Sequence, residues 1–321
     1  MSSVTRVPET STMTDELDAG DARDTLRSFG TGHLVKEAFA RFRYGDGFSH
    51  SRALGLQVCL SFIPLVIALV GLSSTLNAER AAEVLRRTLL SLTPGTSSDV
   101  IEDTLAQSQQ SSGSGGQLAL WLGLATAVLA LTTAMAQVER GANRIYGVQR
   151  DRPTAQKYTR ALIMAGIAGA PAMTGFLIVV AGGALGDALE AVYGISGTLV
   201  SVLRWPLGVA LMLVAITTLF DRAPRRRQPG FSWLAVGGVV SLLLWLLFTV
   251  LLAFYVQTSA GFGTVYGPLT GIIALLLWAQ LTSVALFLGM AFAAQLEAVR
   301  AGVTEGAMPD PELTAGASRP A

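Results

Sequence analysis

The densest group of side chains able to do chemistry is Gln137, Glu139, Arg140, Asn143, Arg144 and Tyr146. Arg140 and Arg144 stand four residues apart, so on a helix they share one face. Two guanidinium forks side by side suit a phosphate or carboxylate group, and Asn143 adds an amide next to them. The same arginines equally serve as a topology signal, with Glu139 pairing locally. Arg204, just before Trp205 and Pro206, either snorkels to lipid phosphate or contacts an anion at the mouth of a cavity, and snorkelling is the favoured reading. Gln57 falls inside an apolar stretch, where a primary amide cannot satisfy all its donors on its own helix. The run Arg225-Arg226-Arg227 reads as a topology signal.

Enzymatic chemistry finds little to work with. The chain has no phosphate-binding G-x-x-x-x-G-K-[ST], no H-E-x-x-H, no C-x-x-C and no G-x-S-x-G. One cysteine, Cys59, excludes an internal disulfide or a thiolate cage, and His33 and His50 have no acidic partners arranged around them. No catalytic residue, metal or cofactor is expected. A net charge of +1 gives no basic field for nucleic acid.

The elements that must position these residues are apolar. Hydrophobic residues make up 51% of the 321, and charged residues 14%, against about 25% in soluble proteins. Mean hydropathy is +0.51. The expected class is an all-α, polytopic integral membrane protein. A span needs about 20 apolar residues, and six segments qualify: 53–76, 118–136, 161–185, 199–220, 231–257 and 267–294. Lysine and arginine cluster before the first span and in alternate loops, which predicts that both termini are cytoplasmic. Residues 77–117 form an external loop, and 33–46 an amphipathic interfacial helix whose face carries Leu34, Ala38 and Phe42 with Val35 and Phe39. Within the membrane domain, 31–300, Pro64 and Pro171 interrupt spans, and Gly267-Pro268 forms a hinge or turn. Small residues in the third span, Gly166 and Gly169 among them, permit close helix approach. Serine and threonine at depth are expected to bond back to their own helices or to join two helices. The polar tails, 1–30 and 301–321, are expected to be disordered.

Several motifs together resemble the YihY/BrkB family of bacterial inner-membrane proteins, once mislabelled ribonuclease BN. Residues 49–64 (SHSRALGLQVCLSFIP) are similar to its Ser-Phe-x-Pro entrance to the first span, and Asn143-Arg144-Ile145-Tyr146 to its Asn-Arg-Ile-Tyr segment. Arg222-Ala223-Pro224-Arg225-Arg226 looks like its basic proline turn, and Tyr266-Gly267 through Leu277-Trp278 to Gly289 like its last span. Where that span usually ends in Gly-Ala-Glu, this chain has Gly289-Met290-Ala291. The resemblance implies six helices and a transport-like role without an agreed substrate. Two functions follow as expectations. One is a passive or secondary transporter of lipid, or of another anionic amphiphile or solute, working among membrane lipids. The other is a non-transporting scaffold with an envelope partner or a second copy of itself.

Overall fold

A computed structural model of the chain describes residues 4–9, 18–75, 114–193, 197–258 and 269–308. These contain eight helices: α1 (Ala19–Phe29), α2 (Thr31–Tyr44), α3 (Gly47–Thr75), α4 (Ser114–Ile145), α5 (Thr154–Tyr193), α6 (Gly197–Arg222), α7 (Phe231–Thr258) and α8 (Thr270–Arg300). The only β pairing among the described residues is a single antiparallel bridge between Val4 and Ala307. Four helical stretches, Trp121–Ile145, Val202–Arg222, Phe231–Thr258 and Thr270–Arg300, are long and apolar enough to cross a membrane. The two remaining expected spans, 53–76 and 161–185, fall on α3 and α5. Gly267, Pro268, the last residue of the expected first span (76), residues 77–113 of the expected external loop and residues 309–321 lie outside the described residues.

The helices pack as three hairpins, α3 on α4, α5 on α6 and α7 on α8, and α8 also packs on α3. Glycine sets the closest crossings. A Cβ on Gly289 would meet Ser241 Oγ at 2.0 Å and the Gly237 carbonyl at 2.7 Å, so α7 and α8 touch backbone to backbone there. Gly55 likewise lies against the Gln280 backbone. Gly166 and Gly169, by contrast, meet nothing within 4 Å. Pro64 and Pro171 sit inside continuous helices rather than breaking them. Each lacks an N–H and so leaves the carbonyl four residues earlier without its helical donor. Ser61, Thr126, Thr132, Thr217, Thr218 and Ser283 all donate to the carbonyl one turn back, at 2.6–2.8 Å. Ser241 instead crosses between helices, donating to Ala285 O at 3.1 Å.

Two expectations are corrected. Residues 1–30 are not wholly disordered, because 4–9 form an extended segment and 19–29 form α1. Asp18 starts α1 with a capping box: its carboxylate accepts from the Gly20 and Asp21 amides at 2.7 and 3.0 Å, and Asp21 accepts from the Asp18 amide. Buried Ala22 and the Arg300–Asp21 ion pair at 3.3 Å then dock the helix. The face of α2 also divides. Leu34, Ala38 and Phe42 are buried, and α2 packs on α8, whereas Val35 and Phe39 remain exposed. An apolar helical face looks the same in sequence whether its partner is lipid or protein.

Packing is uneven along the bundle. In α7 the buried residues are Trp233, Leu234, Gly237, Gly238, Ser241 and Leu242, and none of its described residues beyond Leu242 is buried. In α8 burial begins at Ala279 and becomes nearly continuous from Phe287 to Val299. The core, with Phe42, Tyr146, Phe220, Trp233, Phe287 and Leu296, therefore sits at one end. That end also gathers α1, α2, the basic turns and the 4–9 segment. Towards the other end fewer of the described side chains are buried, although Gly175 and Gly208 still bring α5 and α6 close together.

Candidate functional site

The basic end holds two kinds of polar group: those that join one helix end to another, and those that line one face of α4. The first kind begins with Arg41, fully buried on α2. Its Nε donates to Gln295 Oε1 at 2.8 Å, and its Nη atoms donate to Thr5 O, Thr5 Oγ1 and Ile145 O at 2.8, 3.0 and 3.2 Å. Burial lowers the pKa of this guanidinium to about 10, although Tyr146 and Glu297 pull the other way. Arg226 forms a fork with Glu297 and lies 4.9 Å from the centre of the Tyr146 ring. Burial, with Glu297 nearby, drives the Tyr146 hydroxyl well above its ordinary pKa.

A second clamp joins the α4–α5 turn to the α6–α7 turn. Arg152 Nη1 lies 3.1 Å from the buried Glu139 carboxylate and donates to Ala223 O, while Nη2 donates to Pro224 O. Asn143 is buried between them. Its Nδ2 donates to Asp151 Oδ1 at 2.8 Å, and its Oδ1 accepts from the Arg225 amide at 2.8 Å. Burial works against ionisation of Asp151, but the Asn143 amide and the Lys157 ammonium outweigh it and hold the carboxyl below its usual range. Both polar atoms of the Asn143 side chain are thus committed to the protein.

The second kind lies on one stripe of α4. Gln137, Arg140 and Arg144 are spaced i, i+3 and i+7 and so share a face. The stripe runs from buried Gln137 to exposed Arg140 and half-buried Arg144. At its inner end Gln137 Nε2 lies 2.8 Å from His50 Nδ1, and the His50 ring lies 6.4 Å from that of Phe287. Burial lowers the His50 pKa, and Arg144 and Arg140 lower it further, against opposing effects of Asp46 and Asp151. The arrangement offers donors of graded exposure to an anion and, among the described residues, no cluster of metal ligands.

The remaining sequence candidates stand apart. Gln57 is half-buried two turns beyond His50 on α3, and its Oε1 is buried without a hydrogen-bond partner among the described residues. Arg204 is half-buried with its guanidinium 5.9 Å from the Trp205 ring. It lies about 27 Å along α6 from Arg222, next to the clamped turn, so it belongs to the half away from the basic end. Pairwise signals were missing for Arg41, Gln295 and Glu297, and for His50 with Gln137, because their partners lie far away in sequence. Their residue types in an apolar chain were the only available hint.

Comparison with known proteins identifies relatives of this chain. A family model described as Virulence factor BrkB matches residues 38–313. A ribonuclease-like protein, YfkH, of Bacillus subtilis is 23% identical over 261 residues, covering 80% of this chain and 92% of that protein. A UPF0761 membrane protein of Rhodospirillum centenum is 26% identical over 287 residues, 88% of this chain and 61% of that protein. No solved structure matches the chain.

Proposed function

The chain belongs to the Virulence factor BrkB family of membrane proteins, and from that premise we propose that it is a passive or secondary transporter of lipid or of another anionic amphiphile or small solute. In this reading α3 to α8 cross the bacterial inner membrane, and the basic end with both termini faces the cytoplasm. Arg140 and Arg144 receive the anionic group, with Asn143 fixing the turn below them. The chain performs no reaction: the word ribonuclease belongs to the name of the Bacillus subtilis relative.

The observation that carries the reading is the uneven burial of the described side chains. In this reading an acyl chain passes sideways along the helices in the half where the described side chains face outwards, away from the tightly packed basic end. A headgroup then needs only a few donors at the basic end. Such a path tolerates the shortage of carboxylates inside the spans better than a proton-driven solute path would.

The test is reconstitution into vesicles containing fluorescent phosphatidylglycerol, with bleaching of the outer leaflet by an impermeant reductant. Labelled lipid is expected to cross between leaflets, and Arg140→Ala with Arg144→Ala is expected to slow crossing about tenfold or more, since charge-assisted contacts are lost. No crossing by the unaltered protein, together with a stable envelope partner recovered in pull-down, would establish the scaffold instead.

A further inference from the structure

His50 is a titratable group that touches the α4 stripe, at Gln137, without belonging to it. Its ring is held on one side by Gln137 at 2.8 Å and on another by Phe287. The charged groups acting on it come from three places: Asp46 in the turn before α3, Arg140 and Arg144 on α4, and Asp151 in the α4–α5 turn. His50 sits before the apolar part of α3, at the basic end, where protons from solvent can reach the stripe.

We propose that His50 is a proton-linked member of the anion site, taking up a proton from solvent as an anion settles against Arg140 and Arg144. The inference rests on the anion site read above and adds its regulation. Without an anion, two guanidinium groups on the neighbouring face oppose a third positive charge. An anion held by those groups cancels their field and favours the imidazolium, and by linkage the imidazolium favours the anion equally. Gln137 can serve both states. Its amide offers an N–H to a neutral Nδ1 and, turned over, offers its carbonyl to a protonated one. The added proton goes onto the ring nitrogen that lacks one, no bond is broken, and the buffer is the donor. The rest of the bundle need not move, because the amide turns in place.

The chain has two histidines, which makes a direct test practical. Full-length protein carrying His33→Gln, labelled with 15N-histidine and held in uncharged detergent, shows His50 alone. His50 is expected to titrate below the ordinary histidine value of 6.5 without added anion. Addition of sulfate or short-chain phosphatidylglycerol, neither of which changes charge between about pH 5 and 8, is expected to move the midpoint up. The affinity of the same probes should rise as pH falls through that window, about tenfold for each unit by which the midpoint moves.

In Arg140→Ala with Arg144→Ala, the midpoint without anion should rise, and the response to anion should vanish. In His50→Gln, binding should persist and lose its pH dependence. A response to phosphatidylglycerol alone identifies a lipid headgroup as the ligand, whereas a response to both probes identifies a general anion. Binding with a fixed His50 midpoint overturns the proton linkage while leaving the anion site standing. No binding by either probe overturns both.

Discussion

Arg226 grips Glu297 through both Nη atoms, at 3.0 and 2.5 Å, with the two side chains 1% and 2% exposed. The pair ties the α6–α7 turn to the last turn of α8, and the Tyr146 ring closes one side of it. A buried pair of this kind costs much desolvation, so its net contribution is small while both partners are present. Breaking it is another matter. Glu297→Gln should lower stability by about 3–5 kcal/mol because Arg226 stays buried without its counter-charge. Arg226→Met combined with Glu297→Leu should recover most of that loss. Thermal unfolding in detergent, followed by tryptophan fluorescence, checks both, and additive losses in the double variant would show that the two groups act separately.

Residues 4–9 make the second relationship testable. Val4 and Val7 are each 1% exposed, the Val7 amide donates to Tyr146 O at 3.2 Å, and Arg226 donates to Pro8 O at 3.0 Å. Gly147, at φ +72°, permits the approach, since a Cβ there would lie 2.8 Å from Arg6 Cα. Val7→Asp buries a carboxylate where the neighbouring guanidinium groups, Arg226 and Arg41, are already committed to Glu297 and Gln295, so the segment should detach. Trypsin should then cut at Arg6 at least about tenfold faster than in the unaltered protein, as expected when a local opening becomes the dominant state. In a Cys59→Ser background, Val4→Cys with Ala307→Cys should form a disulfide across the antiparallel bridge and hold the segment in place. Equal cutting of Arg6 in all variants would mean that the segment is not held in solution.

How much of this was legible beforehand depends on the range over which each signal acts. Helix positions were readable because 20 or so apolar residues in a row have few other fates in a chain so poor in charge. The back-bonding of Thr132 and Thr217 was readable because donor and acceptor lie one turn apart. The α4 face shared by Arg140 and Arg144 was readable for the same reason. Arg41 was not, because its partner Gln295 is 254 positions away and no local spacing encodes that meeting. The Arg225–Arg227 run looked like a topology signal alone, yet Arg225 and Arg226 bind the α4–α5 turn and α8. Asn143 looked like a ligand because its neighbours are arginines, and only the fold shows both ends of its amide occupied by Asp151 and Arg225.

Glycine gives a contrast within one residue type. Gly289→Ala would force a methyl into the Ser241 hydroxyl and the Gly237 backbone, neither of which can retreat far. Overpacking of this kind typically costs about 1–3 kcal/mol, so the melting temperature should fall. Gly166→Ala meets nothing within 4 Å and should leave it unchanged or slightly raised. Equal effects of the two substitutions, measured by thermal aggregation of the detergent-solubilised protein, would contradict the α7–α8 crossing.

Asn143 separates a structural bracket from a ligand by charge. Asn143→Asp keeps an oxygen for the Arg225 amide but replaces the donor facing Asp151 with a second carboxylate, whereas Asn143→Ala removes both bonds. If the side chain acts as a bracket, Asp should destabilise at neutral pH by about 1–3 kcal/mol, because Asp151 loses its donor and gains a like charge. The sign with pH then follows. In the native protein the folded Asp151 carboxyl ionises more readily than its ordinary value of 3.8, so this group contributes stability above that value and loses it as pH falls through the folded pKa. In Asn143→Asp the paired carboxylates share a raised pKa, so stability should rise as the pH is lowered from neutral towards 5, a range in which Asp151 of the unaltered protein contributes no slope. Melting curves across that range give the slope directly. A variant that keeps the native slope and full stability, yet loses anion binding, would return Asn143 to the role of a ligand.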